Sequence, residues 1–365
     1  MRGTASRTTR LQADLQAAGE SAVLEIEGEA VAVSHLDRVY WPADQGLAYE
    51  AVTKRELIAY LITVAPRMLP HVVDRPLTLF RWPNGVAGRR VLQKHGDIAL
   101  PDFVQRTRIF SDAKGHSDQY LLCNNVPTLV WLAHMGTLEF HVWHSRVQPG
   151  PDTPVTSTDF AGSTKALQAS IIEYPDYILF DLDPFLYAGT ETRVKEPELN
   201  AIAFGKAVTI GLALKALLDS LSLISYVKTS GKTGLHVLVP IRRTVTYAVA
   251  RELARVVGLH LLNAYPEDIT VEWSVQKRRG KIFMDTNMNA RGKSLVAPYS
   301  PRALPGAPVS MPITWAELQT AYPLMYRIPT VIGALRTRRD AWSRLTRDKQ
   351  AIEERLGTSN APNDS

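Results

Sequence analysis

The chain has a single cysteine, Cys123, in 365 residues. That excludes a disulfide framework, and no Cys/His cluster has zinc-finger spacing, so the expected setting is a reducing, intracellular compartment. Long apolar runs are also lacking. No stretch approaches the ~18 apolar residues a membrane span needs, and the start MRGTASRTTR has no apolar segment like that of a signal peptide. No repeat recurs at a period of ~20–50 residues, which removes solenoids and propellers. A strong charge bias is missing too: 42 Lys+Arg against 36 Asp+Glu give +6, a weak lean towards a polyanionic partner. What is present is 45% hydrophobic and 21% charged residues, a globular composition with ample core.

Strand and helix signals alternate along the chain. Residues 1–20 are polar and read as a flexible lead-in. Alternation around Val23–Ile26 and Ala30–Val33, joined at Gly28, predicts two strands and a turn. Thr53 with Glu56, ahead of Leu57, Ile58, Leu61 and Val64, predicts a capping box and an amphipathic helix. Arg75 through Gly85 reads as a strand closed by a Pro-Asn-Gly turn, Val126–Met135 as a helix, and Thr137–Trp143 as a strand. The second half predicts a buried strand at Tyr177–Phe180 and a helix over Leu199–Leu221. Strands follow at Ser225–Lys228 and His236–Pro240, then a helix at Val245–Leu262 and a hairpin-like pair at Thr270–Val275 and Lys281–Asp285. Two helical stretches lie within 312–356, and the polar tail 357–365 reads as disordered. The pattern is α+β.

Phe180-Asp181-Leu182-Asp183-Pro184 places two carboxylates on one face of a strand, roughly 6.5–7 Å apart along it. Unpaired they repel and are costly to bury; bridging divalent cations resolve that. The same Asp-x-Asp suits nucleotide-sugar transferases and aspartyl-phosphate phosphatases, and it also suits a strand end with solvated aspartates. A third carboxylate, Asp285, ends another apolar strand and is what two-metal nucleotidyl transfer needs, though by itself it could equally be a strand-terminal surface residue.

Between them, Thr229-Ser-Gly-Lys-Thr-Gly-Leu-His236 holds two glycines that permit a tight turn with exposed N–H groups. It is not a P-loop: Tyr226 stands where the first glycine belongs, and a strand follows instead of a helix. Ser230 and His236 can face a ligand from either side of the turn, or simply close it. Residues 228–302 carry 13 Lys+Arg and 5 Asp+Glu, net +8, so the remainder of the chain is −2. The basic excess falls where the motifs fall, as a polyanionic substrate would demand.

These segments resemble the polymerase (primase-like) domain of bacterial ligase D, of the archaeo-eukaryotic primase superfamily. The likeness rests on Phe-Asp-Leu-Asp-Pro, Thr-Ser-Gly-Lys-Thr-Gly-Leu-His, Lys-Ile-Phe-Met-Asp, and Ala-Pro-Tyr-Ser-Pro-Arg. It extends to His35-Leu-Asp-Arg-Val-Tyr-Trp-Pro, Arg81-Trp-Pro-Asn-Gly85, Gln93-Lys94, Leu138-Glu-Phe-His141 and Met311-Pro-Ile-Thr-Trp.

The resemblance implies an α+β primase-like fold, two β-sheet lobes with flanking helices around a central catalytic cleft. It implies one domain over 21–345, with an N-terminal lobe at 21–150 and a catalytic lobe at 170–310. It implies a repair polymerase that extends 3′-OH ends at breaks or gaps in non-homologous end joining and prefers ribonucleotides. A primase-polymerase of replication or damage tolerance stays open as the alternative. A scaffold that only binds DNA ends would have eroded carboxylates, and all three are present.

Asp181, Asp183 and Asp285 match the catalytic ligands of two Mn²⁺ or Mg²⁺ ions. Ser230, His236 and His141 match residues that engage the NTP or dNTP. Lys293 and Arg302 match the triphosphate region, with Lys232, Arg278 and Lys281 beside them; Thr233 stands at a family lysine. His35, Arg38 and Lys54 match a 5′-phosphate pocket in which the family has an asparagine and two lysines. Arg81, Trp82 and Lys94 are candidate template or primer contacts; some family members have a template-stacking aromatic pair near Val91-Leu92, and Trp82 could compensate for it or equally be core. The implied partners are 5′-phosphorylated DNA, Ku and a separate DNA ligase, with no membrane, in a cytoplasmic, nucleoid-associated setting. No Lys-x-Asp-Gly ligase signature occurs, which leaves a stand-alone polymerase or a piece of a longer chain, and the initiating methionine and untrimmed tail favour the former.

Overall fold

The computed structural model describes residues 2–96, 99–185, 199–335 and 337–355; the tail 357–365 lies outside them. The strands used below are β1 (Ala22–Ile26), β2 (Glu29–Val33), β3 (Leu77–Arg81), β4 (Val91–Gln93), β5 (Thr137–Trp143) and β6 (Tyr177–Phe185). They continue with β7 (Tyr226–Thr229), β8 (Leu235–Pro240), β9 (Ile269–Thr270), β10 (Lys281–Met284), β11 (Ser294–Val296) and β12 (Pro312–Ile313). The longer helices are α1 (Arg2–Ala17), α2 (Lys54–Met68), α3 (Val126–His134), α4 (Ala201–Ser220) and α5 (Tyr247–Ala264).

Two sheets carry the molecule. One runs β11-β5-β3-β4; the other runs β9-β10-β6-β8-β7-β12. In the second, only the β9–β10 pair is parallel. One continuous core, from Leu15 to Ile352, joins the two, giving the expected α+β arrangement of two sheet lobes. Strand β11, from the second half of the chain, pairs with β5 in the sheet otherwise built from the N-terminal half.

On β6 the odd and even positions split by pleat. Ile178, Phe180 and Leu182 join the main core, while Asp181 and Asp183 turn to the opposite face. Helix α4 buries Phe204, Ala207, Ile210, Gly211 and Leu214. Its mean hydropathy of 1.7 over a membrane-length window corrects the reading that no such segment exists. Its buried face packs on this sheet, and Lys206 pairs with Asp268 at 2.8 Å.

Three further local expectations change. Residues 2–17 form helix α1 instead of an irregular lead-in, with Leu15 fully buried. Its end is capped from a distance: Arg55 donates to the carbonyls of Leu15, Ala18 and Gly19 at 2.6–2.9 Å. Strand β6 runs on through Pro184 to Phe185, paired with β10; β8 has already ended opposite Leu182, so the proline sits where one side is an edge. The segment Thr270–Val275 is not a hairpin arm. Arg278 donates to the Glu272 and Trp273 carbonyls, each at 2.9 Å, and a 3₁₀ turn covers Val275–Arg278. Elsewhere the capping box of α2 is present, with Glu56 Oε2 accepting from Thr53 N–H at 2.6 Å.

Candidate active site

A cleft of about 370 Å³ opens between the two sheets. Asp181, Asp183 and Asp285 line it, together with Ser230, Lys232, His236, His141, Arg278 and Arg302. Strand pairing accounts for the carboxylates: Asp181 and Asp183 share the cleft face of β6, and Asp285 N–H donates to the Asp181 carbonyl at 3.2 Å. Burial raises the pKa of all three, and charge repulsion from the other aspartates raises Asp181 and Asp183 further. Asp181 Oδ1 is buried without a hydrogen-bond partner. An orphaned carboxylate oxygen beside two more carboxylates is a donor set suited to hard divalent cations. Among the described residues no three His, Cys, Asp or Glu side chains form a ready-made metal cage; the aspartates line one cleft without converging.

Register sets a row of three polar side chains across neighbouring strands: Asp181 faces His236, and His236 faces Lys228. His236 Nε2 lies 3.3 Å from Asp181 Oδ1, misaligned for a hydrogen bond. Its Nδ1 lies 2.6 Å from Lys228 Nζ, which also reaches Ser310 Oγ at 2.6 Å. Lys228 is fully buried, and burial pushes its pKa well down, aided by Arg302. Burial does the same to His236, with Lys228 and Arg302 adding to it, so the imidazole is held neutral.

The glycine turn beside this row is fixed by contact. Gly231 adopts φ +74°, and a Cβ there would sit 2.8 Å from the Ser310 nitrogen. At Gly234 a Cβ would approach the Leu182 carbonyl to 2.3 Å and Asp183 Oδ1 to 2.8 Å. Only glycine lets the turn come so close to the carboxylate strand. Ser230 Oγ accepts from the N–H groups of Lys232 and Gly234, at 3.1 and 3.0 Å, which leaves its own proton to donate.

The opposite wall is organised by a residue the sequence reading passed over. Glu139, buried on β5, accepts from Ala303 N–H at 3.0 Å and lies 3.3 Å from Arg302 Nε and 3.4 Å from His141 Nε2. Despite burial, Arg302 and His141 hold its carboxyl far below the usual range. Burial lowers His141 to about 4, outweighing Glu139. Arg302 also donates to the Ser230 carbonyl at 2.8 Å, tying the two walls together.

The basic segment is only partly a cleft feature. Arg278 lines the cleft but its guanidinium is engaged, stacked 3.5 Å from the Phe283 ring centre and bonded to two carbonyls. Lys281 is not brought in; it donates to the Pro266 carbonyl at 2.6 Å. Lys293 is exposed outside the lining, near enough to Asp285 to oppose the rise that burial imposes on that group's pKa.

A profile for "LigD, primase-polymerase domain" matches residues 53–342. The chain belongs to the LigD primase-polymerase family. It is therefore a nucleotidyltransferase of the primase-polymerase class. It is 30% identical over 290 residues to the multifunctional non-homologous end joining protein LigD of Mycolicibacterium smegmatis, covering 80% of this chain and 32% of that protein. It is 30% identical over 286 residues to the bifunctional LigD of Bacillus subtilis, covering 78% and 40%. The chain thus spans only 32% and 40% of the length of these two relatives. The polymerase domain of Mycobacterium tuberculosis ligase D in complex with DNA superposes with a TM-score of 0.71 at 26% identity, covering 88% of this chain and 99% of that one.

Away from the cleft, the residues matched to the LigD family's 5′-phosphate pocket cluster on the N-terminal side. His35 takes a left-handed φ of 55°, a conformation asparagine and histidine both tolerate. Lys54 is buried and donates to the Ser34 and His134 carbonyls, each at 3.0 Å. Burial and then Arg38 lower its pKa to about 8. His134, unforeseen from sequence, is lowered to about 4 by burial, Lys54 and His35. Cations that depress one another without a carboxylate among the causes mark a site short of negative charge.

The template candidates do not gather at the cleft. Trp82 is 9% exposed and packs into the core, so it is not free to stack. Arg81 donates to the Met135 carbonyl at 2.8–3.0 Å and to Gln93 at 2.7 Å. Lys94 is exposed beyond β4.

Proposed function

We propose that the chain is a metal-dependent polymerase that extends DNA 3′-OH ends at breaks or gaps during non-homologous end joining, with a preference for ribonucleotides. The observation that carries this is the orphaned, buried Asp181 oxygen in a cleft shared with Asp183 and Asp285 and walled by Lys232 and Arg302. The reaction joins the primer 3′-oxygen to the α-phosphorus, breaks the bond to pyrophosphate and releases one proton. Asp181, Asp183 and Asp285 would hold two Mg²⁺ or Mn²⁺ ions, which supply the charge that activates the 3′-OH and stabilises the leaving group. Lys232, Lys293 and Arg302 offset triphosphate charge. Ser230 presents a hydroxyl proton to phosphate or sugar, and the neutral His236 and His141 orient their neighbours without adding charge. His35, Arg38, Lys54 and His134 receive the downstream 5′-phosphate. Ku and a DNA ligase are partners under the same reading, supported by the end-joining names of the LigD relatives.

The test is primer extension on a gapped duplex with and without a 5′-phosphate downstream, in Mg²⁺ and Mn²⁺, with ribo- and deoxynucleotides. Asp181→Ala and Asp183→Ala should abolish extension and leave DNA binding within about threefold. Near-normal extension by either in Mn²⁺ overturns the metal assignment. Arg38→Ala with Lys54→Ala should remove the preference for the phosphate, and a wild type indifferent to the phosphate refutes that pocket.

A further inference from the structure

Six of the seven tryptophans are withdrawn from solvent to some degree; Trp273 is 58% exposed, at the rim of the cleft. It sits on the loop between β9 and β10, and three contacts hold it there. Its ring meets Phe283 edge-on, 5.7 Å between centres at 72°. The Arg278 guanidinium lies 5.4 Å from its ring centre while stacking on Phe283 and lying 5.4 Å from the Phe185 ring centre. Arg278 also donates to the Trp273 carbonyl, so backbone and ring are clamped by one side chain.

A large aromatic is normally turned inward, because exposed apolar area forfeits hydrophobic stabilisation. Here a pedestal of Phe283 and Arg278 keeps the indole outward, beside carboxylates and the cations Lys232 and Arg302. A ligand that meets all of these must join a flat π-surface to anionic oxygens. Nucleotides have that chemistry. Trp82 cannot serve, being core, and Val91 and Leu92 offer no π-face.

We infer that Trp273 is a stacking platform for a nucleobase at the mouth of the cleft, on the clamp formed by Arg278 and Phe283. The inference rests on the polymerase reading only for what brings the base there. The base comes either from the incoming nucleotide or from a DNA strand, and base–aromatic stacking tolerates every base.

The experiment compares wild type with Trp273→Ala, Trp273→Leu and Trp273→Phe. Equilibrium binding is measured for ATP, for a single-stranded oligonucleotide and for inorganic tripolyphosphate, which has no base. Alanine and leucine should weaken ATP or the oligonucleotide by about 5- to 100-fold. Tripolyphosphate affinity should stay within about twofold, and phenylalanine should restore binding to within about threefold. Loss confined to ATP assigns the incoming nucleotide; loss confined to the oligonucleotide assigns the strand. Unchanged binding of both by Trp273→Ala overturns the inference, and so does an equal loss of tripolyphosphate, which would mark a structural role. A wild type that binds through Trp273 yet extends no primer would sink the polymerase reading and leave the platform standing.

Discussion

Replacing Lys228 by methionine should separate stability from activity. The lysine is fully buried, and its two polar partners are His236 Nδ1 and Ser310 Oγ, each at 2.6 Å. Methionine keeps most of the stem and removes the charge. The loss comprises two hydrogen bonds, about 1 kcal/mol each, and a buried Nδ1 left unpaired, about 1–3 kcal/mol. Ser310 Oγ keeps its bond to the Thr229 carbonyl at 3.0 Å. Against this stands relief of a buried amine, whose charged form costs several kcal/mol to desolvate. The two sides nearly cancel, so Lys228→Met should unfold within about 2 kcal/mol of wild type, a Tm shift under about 5 °C.

Activity has no such compensation. His236 loses the neighbour that orients its ring behind Asp181, and single-turnover primer extension should fall by about 10- to 100-fold, or roughly 1.4–2.7 kcal/mol of barrier. The drop should appear in the rate at saturating nucleotide more than in nucleotide affinity. Thermal unfolding and extension measured on the same preparation decide the matter. Full extension by Lys228→Met would refute the positioning role, and a Tm lowered by more than ten degrees would show that the lysine chiefly holds the fold together.

Gly234→Ala should cost about 2–3 kcal/mol in urea unfolding, since its Cβ meets the Leu182 carbonyl. Gly205→Ala, on α4 with nothing within 4 Å, should instead gain about 0.5–1 kcal/mol. His71 is buried edge-on against Trp342, and burial lowers its pKa from 6.5 to about 4. The unfolded chain then binds the extra proton first, so stability falls as pH drops from 6.5 to 4, by about 3 kcal/mol for this group. His71→Phe should flatten that dependence by about one proton, read from urea midpoints at pH 7 and pH 4.5; an unchanged slope refutes the assignment. Asp176 is buried against Arg75 at 2.8 Å and Arg146 at 3.0 Å, and it also pairs with Lys349 of the C-terminal segment. Asp176→Asn takes the carboxylate from Arg75, while Arg146 and Lys349 keep Asp152, and should destabilise by about 3–5 kcal/mol in urea; a loss under 1 kcal/mol would show the network to be dispensable.

The sequence made the cleft's own residues legible where local geometry decides them. Two aspartates at i and i+2 of a strand must share a face, and the glycines of the 229–236 turn announce a close approach. Capping boxes and strand alternation are equally local. Long-range pairings were not legible. The cap on α1 comes from Arg55, on another helix. Glu139 and Lys228 look like ordinary strand residues until register sets them against Arg302 and His236. Trp82 and Trp273 cannot be told apart by composition; one is core and the other is exposed because Arg278 and Phe283 hold it there.

The net charge of residues 228–302 needs the same correction. Of its thirteen basic residues, Lys232, Arg278 and Arg302 line the cleft. Arg243 is fully buried against Asp152 at 3.1 Å, and Arg255 pairs with Glu252 on the helix surface. Even at the cleft, Arg278 is stacked on aromatics and Arg302 leans on Glu139. Lys232 and Arg302 therefore face three carboxylates, and the side chains alone do not make a strongly positive receptor for a triphosphate. Added divalent charge is what would turn this acidic centre into one, which is why the proposed reaction depends on metal and not on the +8 of the segment. The N-terminal cluster differs in kind: no carboxylate is among the charges that shift Lys54 or His134, so under the proposed reading it would receive a phosphate without a metal's help. Chelation should accordingly end nucleotide incorporation while leaving recognition of a downstream 5′-phosphate intact; phosphate recognition that disappears with the metal would place both functions at one site.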